Sequence, residues 1–241
     1  MMKTLLIVLL SINTLTACTK KSESMPTDNV IPTTQPIVSV TDTLNYLALG
    51  DSYTIGQSVN AQQSFPYLLA QELPGHKVSQ PTIIAKTGWT TDQLIAAINA
   101  SDINNQTYDF VTLLIGVNDQ YGGYSQANYR VKFVQVLNTA IKFAKGNNAH
   151  VFVLSIPDYG VTPYARGNDG QIGPEIDQFN DINRQESTNA GVNYIDITTI
   201  SKLAANDATL IADDGLHPSA KMYQLWVDKL RPVVLSAFAK K

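Results

Sequence analysis

Cysteine is all but missing from this chain. Cys18 is the only one among 241 residues, so no internal disulfide can form. Histidine is scarce too, with His76, His150 and His217 as the whole supply. No cluster of His, Cys and acidic residues has metal-ligand spacing, and no metal or cofactor is expected. No glycine-rich phosphate loop follows a strand. Charge is nearly balanced, with 17 Lys and Arg against 20 Asp and Glu and a net charge of −3. A basic stripe is lacking, which argues against nucleic acid as a partner. Neither an internal repeat nor a second domain is visible. The apolar run Leu5 to Leu10 is too short for a permanent bilayer span, which needs about 20 residues.

What stands at the N-terminus is a secretory signal. Lys3 supplies positive charge, the short apolar core follows, and Ser11 to Ala17 is mixed and small. The ending Leu15-Thr16-Ala17-Cys18 resembles the lipobox of bacterial lipoproteins. That resemblance implies that Cys18 is lipidated and becomes the first mature residue. It also explains a lone cysteine in an exported chain. Several acyl chains at about 0.8 kcal/mol per buried methylene hold a protein firmly to a membrane. From Thr19 to Thr43 the chain is polar, with Pro26, Pro32 and Pro36 among Ser, Thr, Gln and Asn. Such a tract has little apolar surface to bury and reads as a disordered tether with a reach of roughly 25–30 Å. Thr19 is not the Asp that commonly retains lipoproteins at the inner membrane, which favours the outer membrane. The expected organisation is a signal peptide over 1–17, a lipidated Cys and tether over 18–43, and one monomeric domain over 44–241.

In that domain, strands and helices alternate. Leu44 to Leu49 is the first expected strand, and Ser64-Phe65-Pro66 opens a helix with Pro in its first turn. Val78 to Ala85 is the second strand. Thr91 can cap a helix carrying Leu94, Ile95 and Ile98. Asp109 to Ile115 is the third strand, apolar enough to be buried on both faces. A loop, Gln120 to Gln126, leads to a long helix whose expected inner stripe is Val131, Val134, Leu137, Ile141 and Ala144. Val151 to Ile156 is the fourth strand, and Pro157 to Pro174 a long loop. A helix with Ile176, Phe179 and Ile182 inward precedes the fifth strand, Tyr194 to Ile197. The last helix, from Pro218 or Ser219, buries Tyr223, Leu225, Trp226, Leu230 and Val234. Five apolar strands between helices predict a parallel sheet covered on both faces.

Polar segments fall where such sheets bind ligands, beyond the carboxyl ends of the strands. They are Gly50-Asp51-Ser52-Tyr53, Gly88-Trp89, Gly116-Val117-Asn118-Asp119 and Asp213-Asp214-Gly215-Leu216-His217-Pro218. Hydrolysis by serine needs a hydroxyl, an imidazole base, a carboxylate to orient it and donors for the oxyanion. Ser52 is the hydroxyl. His217 is the only histidine on the right edge, since His76 follows a helix end and His150 precedes the fourth strand. Asp214, three residues before His217, can fold back to its ring; Asp213 and Asp196 are the competitors. Gly88, Asn118 and the Ser52 backbone N–H are candidate oxyanion donors, although Gly and Asn also favour ordinary turns.

Taken together, and in this order, the four segments resemble the four blocks of the SGNH/GDSL hydrolase family. The resemblance covers nearly everything from Leu44 onward. Ser155 to Pro163 is also similar to lipoprotein-type members. Carried over position by position, the resemblance implies Ser52 as nucleophile with Asp214 and His217. It implies an oxyanion hole of Ser52, Gly88 and Asn118, and a three-layer α/β/α, flavodoxin-like fold. Trp89 after Gly88 departs from the smaller residues frequent there, which makes Gly88 the least regular match. The segment is not a Gly-x-Ser-x-Gly elbow, because Asp51 precedes Ser52 and no glycine follows until Gly56.

The function expected is ester hydrolysis through an acyl-enzyme. Tyr53, Trp89, Tyr121, Tyr124, Tyr159 and Tyr164 lie on loops near the site and could stack on sugar or line an acyl pocket. Short acyl groups, such as acetyl on a carbohydrate, are the expected substrate. A lysophospholipase or thioesterase on longer chains is the alternative, and a non-catalytic lipoprotein that binds glycan or protein is the rival from another class.

Overall fold

The structure is a computed structural model, and it describes residues 43–165 and 167–239. Five strands form one parallel sheet. They are β1 (Tyr46–Gly50), β2 (Thr82–Ala85), β3 (Phe110–Leu114), β4 (Val151–Leu154) and β5 (Asn193–Ile195), in the order β2-β1-β3-β4-β5. This is the flavodoxin-like order, with its topological switch beside β1. The register pairs Leu49 with Ile84 on one side and Leu113 on the other. β1, β3 and β4 are buried along their whole length. Nearly unbroken apolar runs therefore occupy the centre, as a sheet covered on both faces requires, and the one hydroxyl in β3, on Thr112, is bonded to that of Tyr46 at 2.7 Å.

Among the described residues, eight α-helices accompany the strands. In chain order they are α1 (Ser52–Ile55), α2 (Phe65–Gln71), α3 (Thr91–Ala100), α4 (Val117–Tyr121), α5 (Gln126–Phe143), α6 (Asp169–Asn189), α7 (Thr198–Ser201) and α8 (Ala220–Ala239). α3 packs on α5 and α5 on α6, while α2 packs on α8, which gives the three-layer sandwich. Trp226 of α8 is fully buried, against Phe65 of α2 and Tyr53 of α1. Tyr46 stacks on Phe110 across β1 and β3 with ring centres 4.3 Å apart.

Five local expectations need correction. The first strand is interrupted at Asn45, whose N–H donates to Asp109 Oδ2 at 2.7 Å. Thr43–Leu44 instead pairs with Lys77–Val78 in a separate two-stranded sheet. The second strand is split for a related reason: Pro81 has no N–H to give a ladder, and only Thr82–Ala85 joins the main sheet. In α5 the buried stripe is Tyr129, Phe133, Val136, Leu137, Ala140 and Phe143, while Val131 is 65% exposed. The three aromatic side chains bury more area than the valines that would displace them, and they set the rotation of the helix. The stretch 157–174 is less open than a loop. Two 3₁₀ turns, at Tyr159–Val161 and Pro163–Ala165, precede α6, which begins at Asp169 and includes Pro174. Leu225 of α8 is half-buried, not part of the core.

Candidate active site

The site is built at the end of β1. Gly50 is required there because a Cβ would overlap the Thr54 side chain and the Leu114 carbonyl. The chain then turns directly into α1. Asp51 caps that helix, its Oδ1 accepting from the Tyr53 N–H at 3.0 Å. Ser52 is thereby held as the first helical residue, at the carboxyl edge of the sheet. Asp51 is fully buried, and burial, with the charge of nearby Asp119, pushes its carboxyl up to about 8.

Three residues are joined in one chain of hydrogen bonds. His217 Nε2 lies 3.0 Å from Ser52 Oγ, and His217 Nδ1 lies 2.6 Å from Asp214 Oδ2. Asp214 folds back as its spacing allows: its Oδ1 accepts from the backbone N–H groups of Leu216 and His217, each at 2.9 Å. An Ile211–Pro218 bridge closes the turn, and the Ala212 N–H donates to the His217 carbonyl at 2.8 Å. His217 is buried, with the Tyr53 ring 5.4 Å away behind it. Burial works against the Asp214 charge. Hydrogen bonds from Ser58, from the His217 backbone and ring and from Leu216 nevertheless hold its carboxyl well below the usual carboxylate range. An ionised Asp214 keeps the proton on Nδ1 and leaves Nε2 free to accept from Ser52.

The competing residues are elsewhere. Asp213 is exposed, and Asp196 is occupied with the Thr198 N–H at 3.0 Å. His76 and His150 both pack on Phe238 near the end of α8.

Gly88 and Asn118 line the same cavity as Ser52 and His217. Asn118 Nδ2 donates to the Trp89 carbonyl at 3.0 Å, which leaves a second amide hydrogen for another acceptor. One residue on, Asp119 Oδ2 accepts from both the N–H and the hydroxyl of Thr91, at 2.9 and 3.0 Å. The two contacts tie the turn after β3 to the turn after β2, so the Gly88 and Asn118 segments are placed as a unit. Thr91 serves this tie and does not cap α3; Thr90 and Gln93 form the capping box. Burial raises the Asp119 carboxyl to about 6. Gly116 has φ +126°, and any side chain there would collide with Tyr129. The hydroxyl of Tyr129 sits beneath this turn, donating to Asn183 Oδ1 at 2.7 Å with the Ile115 carbonyl 3.1 Å away.

The cavity over Ser52 has a volume of about 190 Å³. On its far side Tyr121 and Tyr164 meet, their hydroxyls 3.1 Å apart. Sequence reasoning missed one contact altogether. Ser58 Oγ donates to Asp214 Oδ2 at 2.5 Å, across 156 positions of sequence. Ser58 holds a left-handed backbone at φ +68°, rare for a residue with a side chain. No local signal announces such a contact. Cys18, the lipidation candidate, lies outside the described residues. Among the described residues no group of three His, Cys, Asp or Glu could hold a metal ion.

This geometry is that of a serine hydrolase on a flavodoxin-like sheet. A model of the GDSL-like Lipase/Acylhydrolase family matches residues 48–225, and the chain belongs to that family of ester hydrolases. No curated protein matches it in sequence. Solved structures similar to it include the lipase/acylhydrolase from Enterococcus faecalis, with TM-score 0.63 and 18% identity over 80% of this chain and 96% of that one. The acetylxylan esterase Axe2 from Geobacillus stearothermophilus superposes with TM-score 0.61 and 18% identity, over 84% and 97% of the two chains. The psychrotrophic esterase EstA from Pseudoalteromonas sp. gives 0.62 and 14%, over 82% and 100%. At these identities the likeness speaks for the fold.

Proposed function

We propose that this chain is a serine esterase that removes short acyl groups, acetyl on carbohydrate foremost, through an acyl-enzyme. The observation that carries the reading is the unbroken chain Asp214–His217–Ser52 at the wall of a small cavity. His217 Nε2 takes the Ser52 proton as Oγ attacks the ester carbonyl, and the imidazolium formed is stabilised by Asp214. The oxyanion is received by the free amide hydrogen of Asn118 and the backbone N–H groups of Ser52 and Gly88. His217 then protonates the departing alcohol, and water repeats the sequence on the acyl-enzyme. The size of the cavity favours a short acyl group. Its volume of about 190 Å³ lies below the roughly 300–1,000 Å³ of pockets that enclose larger ligands.

The assay is hydrolysis of p-nitrophenyl esters from acetate to long chains by the parent protein and by Ser52→Ala. The parent should prefer acetate, and Ser52→Ala should lose nearly all turnover. Equal hydrolysis by both proteins sinks the enzymatic assignment of Ser52, and a preference for long chains transfers the protein to the lysophospholipase or thioesterase class.

The anchoring is proposed on the sequence. Cys18 carries the lipid after removal of residues 1–17, residues 18–43 are the tether, and a monomeric hydrolase domain over 44–241 stands off the outer membrane. Metabolic labelling with palmitate should mark the parent and not Cys18→Ala; label retained on the variant removes the lipoprotein reading.

A further inference from the structure

A second and larger concavity, of about 970 Å³, shares Tyr121, Tyr159 and Tyr164 with the cavity over Ser52. We propose that this groove is the alcohol-side subsite of the esterase and that it takes a neutral oligosaccharide, the sugar chain from which the short acyl group is removed. The inference rests on the esterase reading above and adds where the leaving group binds and that it is a chain of sugars.

Position is the first argument. Asp214 and Gly215 line the groove, so it opens on the His217 side of the scissile bond. The imidazole must protonate the departing alcohol, and the alcohol therefore leaves on that side. The Tyr164 N–H donates to the Gly215 carbonyl at 2.9 Å, which ties the groove wall to the turn that carries Asp214 and His217.

Chemistry is the second. Tyr121 is 63% exposed and Tyr164 47%, yet their hydroxyls are bonded to each other and the Tyr121 ring rests edge-on to Tyr159. Exposed rings held in place make a platform with an apolar face and a polar rim. Around them stand amides and a carboxylate: Gln120 Nε2 donates to Glu175 Oε2 at 2.7 Å, and Gln171 Nε2 donates to Glu175 Oε1 at 3.3 Å. Planar amide and carboxylate groups beside aromatic rings suit the vicinal hydroxyls and apolar faces of a pyranose. A hydrocarbon chain over the same groups would strip water from them without replacing its hydrogen bonds. The carboxylates of Asp214 and Glu175 disfavour acidic sugars in the same groove.

The test compares acetylated xylose with acetylated xylotetraose, and acetylated glucose with acetylated cellotetraose, for the parent, Tyr121→Ala and Gln171→Ala. p-Nitrophenyl acetate is run beside them. For the parent, kcat/KM should rise at least tenfold from monosaccharide to tetrasaccharide in one of the two series. Each variant should lose most of that gain, and the loss should fall on KM. A flat response to chain length overturns the groove assignment, as does a gain that survives in both variants. In either case continued hydrolysis of p-nitrophenyl acetate leaves the esterase reading intact. Loss of p-nitrophenyl acetate hydrolysis in the parent itself would remove both.

Discussion

Ser58 shows how a side chain acts through another. It touches none of the reacting atoms, but its hydroxyl donates to the Asp214 oxygen that also faces His217. A hydrogen bond to a charged group contributes about 1.5–3 kcal/mol. Ser58→Ala should therefore lower kcat by roughly 10- to 100-fold with KM little changed, and Ser58→Thr should restore part of it. Steady-state kinetics on p-nitrophenyl acetate decides this; an unchanged kcat means Ser58 only fills the turn. Asp51, adjacent to the nucleophile, has a different part. Its folded carboxyl titrates at about 8, against 3.8 for an ordinary aspartate. Between those values the folded chain keeps a proton that the unfolded chain has released. Its contribution to stability is fully present below the unfolded value and is lost as pH rises towards 8, at about 1.4 kcal/mol per pH unit. Asp51→Asn retains the oxygen that caps Tyr53 and removes the titration. Urea midpoints measured from pH 4 to 8 should fall less steeply for this variant than for the parent, and parallel curves would count against the assignment.

Among the elements, α5 offers the sharpest test of packing. Phe133 is fully buried and Val131 is 65% exposed, two positions apart on one helix. Phe133→Ala should cost about 3–5 kcal/mol through lost burial and a cavity. Val131→Ala, on the surface, should stay within about 0.5 kcal/mol. Denaturant unfolding of the pair checks both values, and similar costs would mean that the helix is rotated from the orientation described. The turn after β3 is a second such element. Gly116 has a backbone conformation that side chains avoid and sits directly over Tyr129. Gly116→Ala combines backbone strain of about 1–3 kcal/mol with overpacking of similar size. Because Asn118 and Asp119 follow on the same turn, this variant should lose activity as well as stability, measured as kcat/KM and urea midpoint together.

For the whole molecule, the catalytic groups and both concavities lie within the described residues of the sandwich. A chain beginning near Val40 should thus hydrolyse p-nitrophenyl acetate with kcat/KM within about twofold of the full chain, since it keeps every residue named at the site. A large loss would assign the N-terminal segment a part in the site. The architecture was legible because central strands of a parallel sheet are buried on both faces and so nearly all apolar, as Val151–Leu154 is and as Phe110–Leu114 is apart from Thr112. Harder to read were the places where one long-range partner overrides a local pattern. Asn45 breaks a strand for the sake of Asp109, and Tyr129 and Phe133 outweigh the valine stripe of α5. The 3₁₀ turns and early start of α6 were hidden by Pro157, Pro163 and Pro174, which read locally as loop.

The sequence by itself determined the alternation of elements, the order of the four polar segments and the identity of the only histidine able to serve Ser52. Those follow from side-chain chemistry and short-range spacing, which a linear chain displays directly. Tertiary structure alone decided the rest. It bonded His217 to Ser52 and ruled out Asp213 and Asp196, brought Ser58 to Asp214, and set Tyr121 against Tyr164 to join two concavities. Each of these contacts spans tens of residues or more. Its partner is chosen by the packing of sheet and helices; for Ser58 with Asp214 and Tyr121 with Tyr164 nothing in the neighbouring sequence announces it, whereas the pairing of Ser52 with His217 was legible in the order of the four segments and only its geometry was not.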